Sequence, residues 1–157
     1  MNITRKSTFA LAGMLLFTAV SASARPHCFP VHSRVTLAAA AENTCGSAIN
    51  LCAGGVLRGS LRGNSEFVGT SFAPTVDSGA TAVFVLNGDN TIHTQAGDLY
   101  TKDAIVLETT GEGNFAEVDT VVGGTGIFAG ATGSLTGTGT FLNGQGEGLL
   151  VGEVCLP

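Results

Sequence analysis

Short apolar and β-branched runs alternate with turn residues over most of the chain. From about residue 54 onwards, glycine, asparagine or aspartate interrupts these runs about every ten residues, a spacing typical of an all-β sandwich or barrel. The pattern predicts eight strands, at residues 56–62, 66–72, 81–86, 91–96, 104–110, 115–122, 134–141 and 147–154. Turn signals at residues 87–90, 96–98 and 110–114 favour hairpin connections. Eight strands joined by hairpins would close into an antiparallel up-and-down β-barrel, which leaves no sheet edge exposed.

The chain before this pattern has a different character. Residues 25–52 contain prolines and an alanine-rich patch and show no lasting period. We interpret them as an irregular N-terminal extension, or strap, attached to a β-barrel domain at residues 53–157. One predicted strand segment, residues 82–86, is apolar on both faces and needs cover on its outer side. The strap or a second subunit would provide that cover.

The first residues have the pattern of a targeting segment. Arg5 and Lys6 precede an apolar run at residues 9–20, and small residues follow up to Ala24. This pattern predicts a cleavable secretory signal at residues 1–24. The apolar run, about 12 residues long, is shorter than the roughly 20 that a spanning helix needs. We therefore expect a secreted or periplasmic protein with no membrane segment in its mature form.

The charge balance disfavours two classes of partner. The chain has 7 Lys and Arg against 12 Asp and Glu, and removal of the signal takes away Arg5 and Lys6. The mature chain then carries a formal charge of −7. A nucleic acid or an anionic membrane is an unfavourable partner for such a surface.

The cysteine count predicts covalent cross-links. The four cysteines are Cys28, Cys45, Cys52 and Cys155. An even number in a small exported domain indicates two disulfides, with three connectivities open, and the spacing does not match a metal site. If the first and last predicted strands meet at the barrel seam, Val56 faces Val151, and Cys52 meets Cys155. Our hypothesis is that pairing, with Cys28 bonded to Cys45.

A glycine-rich run carries a family resemblance. Residues 124–133, GTGIFAGATG, resemble the dirigent and allene oxide cyclase-like barrel families, in particular their small secreted bacterial members. The resemblance implies an eight-stranded barrel, commonly a homodimer or homotrimer through its outer face. Where plant dirigent proteins carry basic residues, this chain has Ala129 and Thr132, and no catalytic residue is carried over. The same run does not fit a dinucleotide fingerprint, because its third glycine is one residue late and no helix follows, so no cofactor is expected.

Few side chains stand out as candidates for chemistry. Glu108 shares a strand face with Val106 and either points into the barrel, with a raised pKa, or lies outward on its rim. Tyr100, the single tyrosine, follows a turn and either acts in the lumen or caps the barrel mouth. Glu117 and Asp119 alternate with valines, and we expect both, like His93, to face solvent.

Three functions fit these patterns. The first is a binding or scaffold protein, with a small apolar ligand in the lumen or a fully packed interior. The alternative is an isomerase or cyclase that acts on a hydrophobic substrate, which the resemblance permits. A surface adhesin or ice-binding protein is the third, and it is based on the threonine ladder at Thr136, Thr138 and Thr140.

Overall fold

The computed structural model describes residues 26–40, 45–77 and 82–157, and these form a closed barrel. Its strands are β1 (His27–Ala39), β2 (Cys52–Gly59), β3 (Gly63–Asp77), β4 (Ala82–Thr94), β5 (Gly97–Glu108), β6 (Asn114–Gly124), β7 (Thr132–Leu142) and β8 (Gln145–Leu156). Each strand pairs antiparallel with the next, and β8 pairs with β1. The predicted eight-stranded antiparallel up-and-down β-barrel is thus confirmed. The predicted signal segment, residues 1–24, lies outside the described residues.

The first strand of the barrel comes from the segment that we predicted to be a strap. Along β1, buried Val31, Ser33 and Val35 alternate with exposed residues, which is the period of a half-buried strand. The strap prediction is therefore wrong for His27–Ala39, and residues 53–157 do not close the barrel alone. The alternation in β1 was masked by a proline and alanines at the strand's ends, which are poor strand formers.

The fourth strand corrects a second prediction. The segments at residues 81–86 and 91–96 were predicted as separate strands with a turn between them, but β4 continues through both. Gly88, at the predicted turn, is buried, and a Cβ there would lie 2.8 Å from the carbonyl oxygen of Val68 and closer still to the ring of Phe67. The glycine therefore permits close packing against β3 rather than a turn. Two predicted strands are thus one strand, β4, and one observed strand, β1, was not predicted. The predicted and observed numbers of strands are therefore both eight.

The lower half of the barrel, defined as the end that holds the start of β1, is filled by side chains. A short 3-10 helix, η1 (Gly126–Phe128), lies between β6 and β7 at this end, and Phe128 is only 3% exposed. It belongs to one apolar cluster of buried residues: Val31, Val35, Leu57, Leu61, Ile92, Leu99, Val121, Phe128, Ala131, Leu135, Leu150 and Val154. No helix in the described ranges is long and apolar enough to cross a membrane.

The disulfides differ from the predicted pairing. Cys28 is bonded to Cys155, and Cys45 to Cys52. The number is as predicted, but the hypothesis that Cys52 pairs with Cys155 is wrong, because β1 lies between β2 and β8. Cys28 on β1 is directly opposite Cys155 on β8. The predicted contact between β2 and β8 fails for the same reason.

Candidate functional site

The upper half of the barrel is hollow. A cavity of about 300 Å³ extends from the upper rim, where β1 ends and β2 begins, to the middle of the barrel. Its walls are mainly apolar, and their larger side chains are Leu37, Leu51, Phe67, Ile105, Phe115 and Phe141. The interior is therefore neither fully packed nor fully open: the core fills one half, and the cavity occupies the other.

Inward-facing glycines on neighbouring strands make room for this cavity. A Cβ on Gly139 would lie 2.9 Å from the ring of Phe115, and one on Gly148 would lie 3.0 Å from it. A Cβ on Gly137 would lie 2.6 Å from Cγ of Glu117. Because these positions lack side chains, Phe115 and Glu117 of β6 lie flat against β7 and β8. The wall is thin there, and the lumen stays wide.

Three carboxyl groups form the floor of the cavity. Asp103 of β5 and Asp119 of β6 are direct cross-strand partners, and Glu117 lies two residues from Asp119 on the same inward face. Asp103 is 4% exposed and Asp119 is 2% exposed. The hydroxyl of Thr101, itself buried, donates a hydrogen bond of 2.6 Å to Oδ1 of Asp103. We call Asp103, Glu117 and Asp119 the acidic floor.

Burial of the acidic floor changes its ionisation. Loss of solvation raises the pKa of Asp103 to about 6. Burial, with the nearby charge of Asp103, raises the pKa of Glu117 to about 7. For Asp119, burial and then the charges of Glu117 and Asp103 raise the pKa to about 9, and this side chain is hydrogen-bonded to Asp103. At neutral pH, Asp119 therefore keeps a proton, Glu117 is close to its midpoint and Asp103 is mostly ionised.

Two buried oxygen atoms at the floor have no hydrogen-bond partner within the described part of the chain. They are Oδ1 of Asn90 and Oδ1 of Asp119, and both residues line the cavity. The Asn90 side chain also hydrogen-bonds Asp103, which fixes its amide nitrogen toward that carboxylate and leaves its oxygen free. An unsatisfied buried acceptor costs about 1–3 kcal/mol. Hydrogen-bond donors brought to the floor would supply the partners that these two acceptors lack.

The structure places neither of the sequence-based site candidates in the cavity. Glu108 lies at the end of β5 on the face of Val106, which is 47% exposed, and its Oε2 accepts a hydrogen bond of 3.2 Å from Asn114. Of the two positions considered for Glu108, the outward one is observed. Tyr100 is 37% exposed on the outer face of β5.

The residues that do form the floor were missed or assigned to the wrong face. The prediction that Glu117 and Asp119 face solvent is wrong, because the valines between and after them, Val118 and Val122, are 51% and 53% exposed. The inward face of β6 is fixed by buried Phe115, which shares the parity of both acids. That parity was a usable signal. The position of Asp103 could have been predicted in the same way, because Leu99, Thr101 and Ile105 occupy every second position of β5 on the same inward face as Asp103.

The other sequence features lie on the outer surface. His93 is exposed, as predicted, and its Nδ1 lies 2.9 Å from Oδ1 of Asp98. The hydrogen bond to Asp98 raises the pKa of His93. Thr136 and Thr138 of the threonine ladder are exposed on β7.

The fold and the cavity together define a class: a closed antiparallel eight-stranded barrel with one hollow half and an acidic floor. No family model matches the chain, and no curated protein or solved structure matches it either. Its function is therefore inferred from its own geometry.

Proposed function

We propose that this protein binds a small, mainly hydrophobic molecule in the upper half of its barrel. The observation that carries the proposal is the cavity of about 300 Å³ with apolar walls and a few convergent polar groups. Ligand pockets have this composition, and their volumes begin at about 300 Å³. A space of roughly ten water volumes suits a molecule the size of a single ring with a short chain.

The two parts of the cavity have separate roles in binding. Apolar walls contribute about 25 cal/mol for each Å² of apolar ligand surface that they remove from water. The acidic floor adds orientation, because its free acceptors satisfy donors at only one end of the ligand. A molecule with an apolar body and a donor head fits this arrangement.

A second candidate is an isomerase or cyclase that acts on a hydrophobic substrate. It is favoured by the pKa values at the floor, since Asp119 holds a proton at neutral pH while Asp103 and Glu117 are partly ionised. Such a set supplies an acid and a base beside one apolar site. The resemblance to allene oxide cyclase-like barrels supports the same candidate.

We place the protein in an oxidising compartment, secreted or periplasmic. The two disulfides support this location, as does the signal pattern at residues 1–24.

Three half-exposed valines on the outer face of β5 and β6 support a homodimer or homotrimer that forms through that face. They are Val106, Val118 and Val122.

Native mass spectrometry of the protein from its exported fraction tests the binding proposal. We expect a releasable small mass, and uptake of small hydrophobic compounds by the emptied protein. Ala53→Leu, which fills part of the cavity, should weaken uptake by about tenfold or more. Ala38→Leu makes the same change on the outer face of β1, away from β5 and β6, and should have no effect.

Two results separate the candidates. Bare polypeptide with no uptake from the compounds, or equal uptake by Ala53→Leu and wild type, overturns the binding proposal. Conversion of a bound compound to a product of altered retention, lost in Asp119→Asn while binding persists, would establish the enzyme candidate.

A further inference from the structure

The cavity has an uncompensated negative character. Its lining contains three carboxyl groups and, among the described residues, no lysine, arginine or histidine. The nearest basic residue along β5, Lys102, is on the outer face and pairs with Asp89. Asp89 adds a further negative charge that acts on Asp103. Within the lumen, the carboxyl groups of the described residues are thus neutralised by bound protons and not by basic side chains.

The unpaired atoms at the floor are all acceptors. Asp119 is 2% exposed, lines the cavity and has one oxygen with no partner. Asn90 has a second unpartnered oxygen, and the side chains of Asn90 and Asp119 both hydrogen-bond Asp103. The Asp103 carboxylate and the Glu117 carboxyl add further acceptor oxygens to the cavity lining. A ligand that satisfies these oxygens must bring several donors and preferably a positive charge.

We propose that the ligand is a small hydrophobic primary amine, bound with its ammonium group on the acidic floor and its hydrocarbon part against the apolar walls. This inference rests on the proposed binding function. A primary ammonium has three donors, no acceptor and a positive charge, which complements a floor of carboxyl groups and acceptor oxygens. An alcohol brings one donor and no charge, and a carboxylate is repelled. A bare metal ion would leave the apolar walls without a partner.

Amine binding is coupled to proton release. In the free protein, Asp119 and part of the population of Glu117 and Asp103 are protonated at neutral pH. A bound ammonium favours the ionised carboxylates, so these protons leave to solvent when the amine enters. Affinity for the amine should therefore rise with pH between about 6 and 9, the range in which the carboxyl groups of the floor ionise.

The first test compares three compounds that differ only in the head group: 4-phenylbutylamine, 4-phenylbutan-1-ol and 4-phenylbutyrate. Calorimetric titration of the disulfide-bonded protein at pH 7.5 should show the amine binding about tenfold or more tighter than the alcohol, and no binding of the carboxylate. Titration in two buffers of different ionisation enthalpy should show net proton release for the amine only. Affinity for the amine should increase by about tenfold from pH 6 to pH 8.

The results distinguish the inference from the function on which it rests. If the alcohol binds as tightly as the amine and Ala53→Leu weakens both, the hydrophobic site stands and the amine inference is overturned. If none of the three compounds binds, both are overturned.

Variants of the floor supply the second test. Asp119→Asn and Glu117→Gln should each weaken amine binding by about tenfold and leave alcohol binding within about twofold. Glu147→Gln removes a carboxylate from the exposed face of β8 and should change neither affinity. Two floor variants are used so that a folding defect in one, visible by circular dichroism, leaves the other to decide. Wild-type amine affinity in a folded floor variant overturns the inference.

Discussion

Asp103 and Asp119 are buried carboxyl groups, and Glu117 is a half-buried one; strand register fixes the positions of all three. Asp103 and Asp119 are cross-strand partners, and like charges directly opposite one another destabilise a sheet. The fold tolerates them because protons remain on the floor at neutral pH. The stability of the barrel therefore depends on the protonation of the acidic floor, and so on solution pH.

The first prediction concerns stability against pH. The pKa values of the three floor groups lie at about 6, 7 and 9 in the fold, above the value of about 4 in an unfolded chain. The folded state thus holds more protons, and its stability is lost as pH rises through these values. We expect Tm to fall by about 5 °C or more between pH 5 and pH 9, and the fall to be smaller in Asp119→Asn.

Thermal unfolding at pH values from 5 to 9, followed by circular dichroism, measures this change in Tm. Glu147→Gln, which removes an exposed carboxylate, should follow the wild-type pH profile. A Tm that is constant or rises from pH 5 to pH 9 would contradict the prediction, as would an Asp119→Asn profile parallel to wild type.

At the level of strands and turns, some positions could be predicted from the sequence and others could not. Phe128, in the glycine-rich run that carries the family resemblance, is buried. The face of β6 was misassigned because valine and acid alternate there, and the usual preference of valine for the interior does not apply where the lumen holds a polar floor. β4 was predicted as two strands because a glycine such as Gly88 is found both in turns and inside strands where another side chain packs closely against the backbone. Here it is the ring of Phe67 that packs against Gly88.

The second prediction concerns η1. Phe128 is 3% exposed, whereas its neighbour Ile127 is 53% exposed. Phe128→Ala should lower the free energy of unfolding by about 3–5 kcal/mol, because it removes a core side chain and leaves a cavity in the packed half. Ile127→Ala, in the same turn, should change it by less than about 1 kcal/mol. Urea denaturation measures both, and equal losses would show that Phe128 does not belong to the packed core of the lower half.

At the scale of the whole molecule, closure of the barrel was predicted, but the strand that pairs with β8 was not, because β1 was interpreted as a strap. Hairpin spacing predicted the antiparallel barrel because it depends on residues close in sequence. The partner of β8 is β1, more than a hundred residues away, and no turn connects them. The pairing of Cys28 with Cys155 follows from that closure, which explains why the cysteine pairing was wrong while their use in disulfides was right.

The third prediction compares the two disulfides. Cys28 and Cys155 are 127 residues apart, and Cys45 and Cys52 are 7 apart. In the chain-entropy model, these loops correspond to about 5 and about 2 kcal/mol. The double variant Cys28→Ser with Cys155→Ser should therefore lose more free energy of unfolding in urea than Cys45→Ser with Cys52→Ser. Peptide mapping without reduction should find Cys28 joined to Cys155, and the reverse order of stability would contradict the prediction.

The division of the barrel into a packed half and a hollow half has an evolutionary consequence. Residues below the acidic floor, such as Leu135 and Phe128, hold the fold together, and a change there acts on stability. Wall residues above it, such as Phe67 and Ile105, line the cavity and can be exchanged with less effect on the core. One scaffold of this kind can therefore acquire new ligands by drift in its upper half while its lower half stays under constant selection.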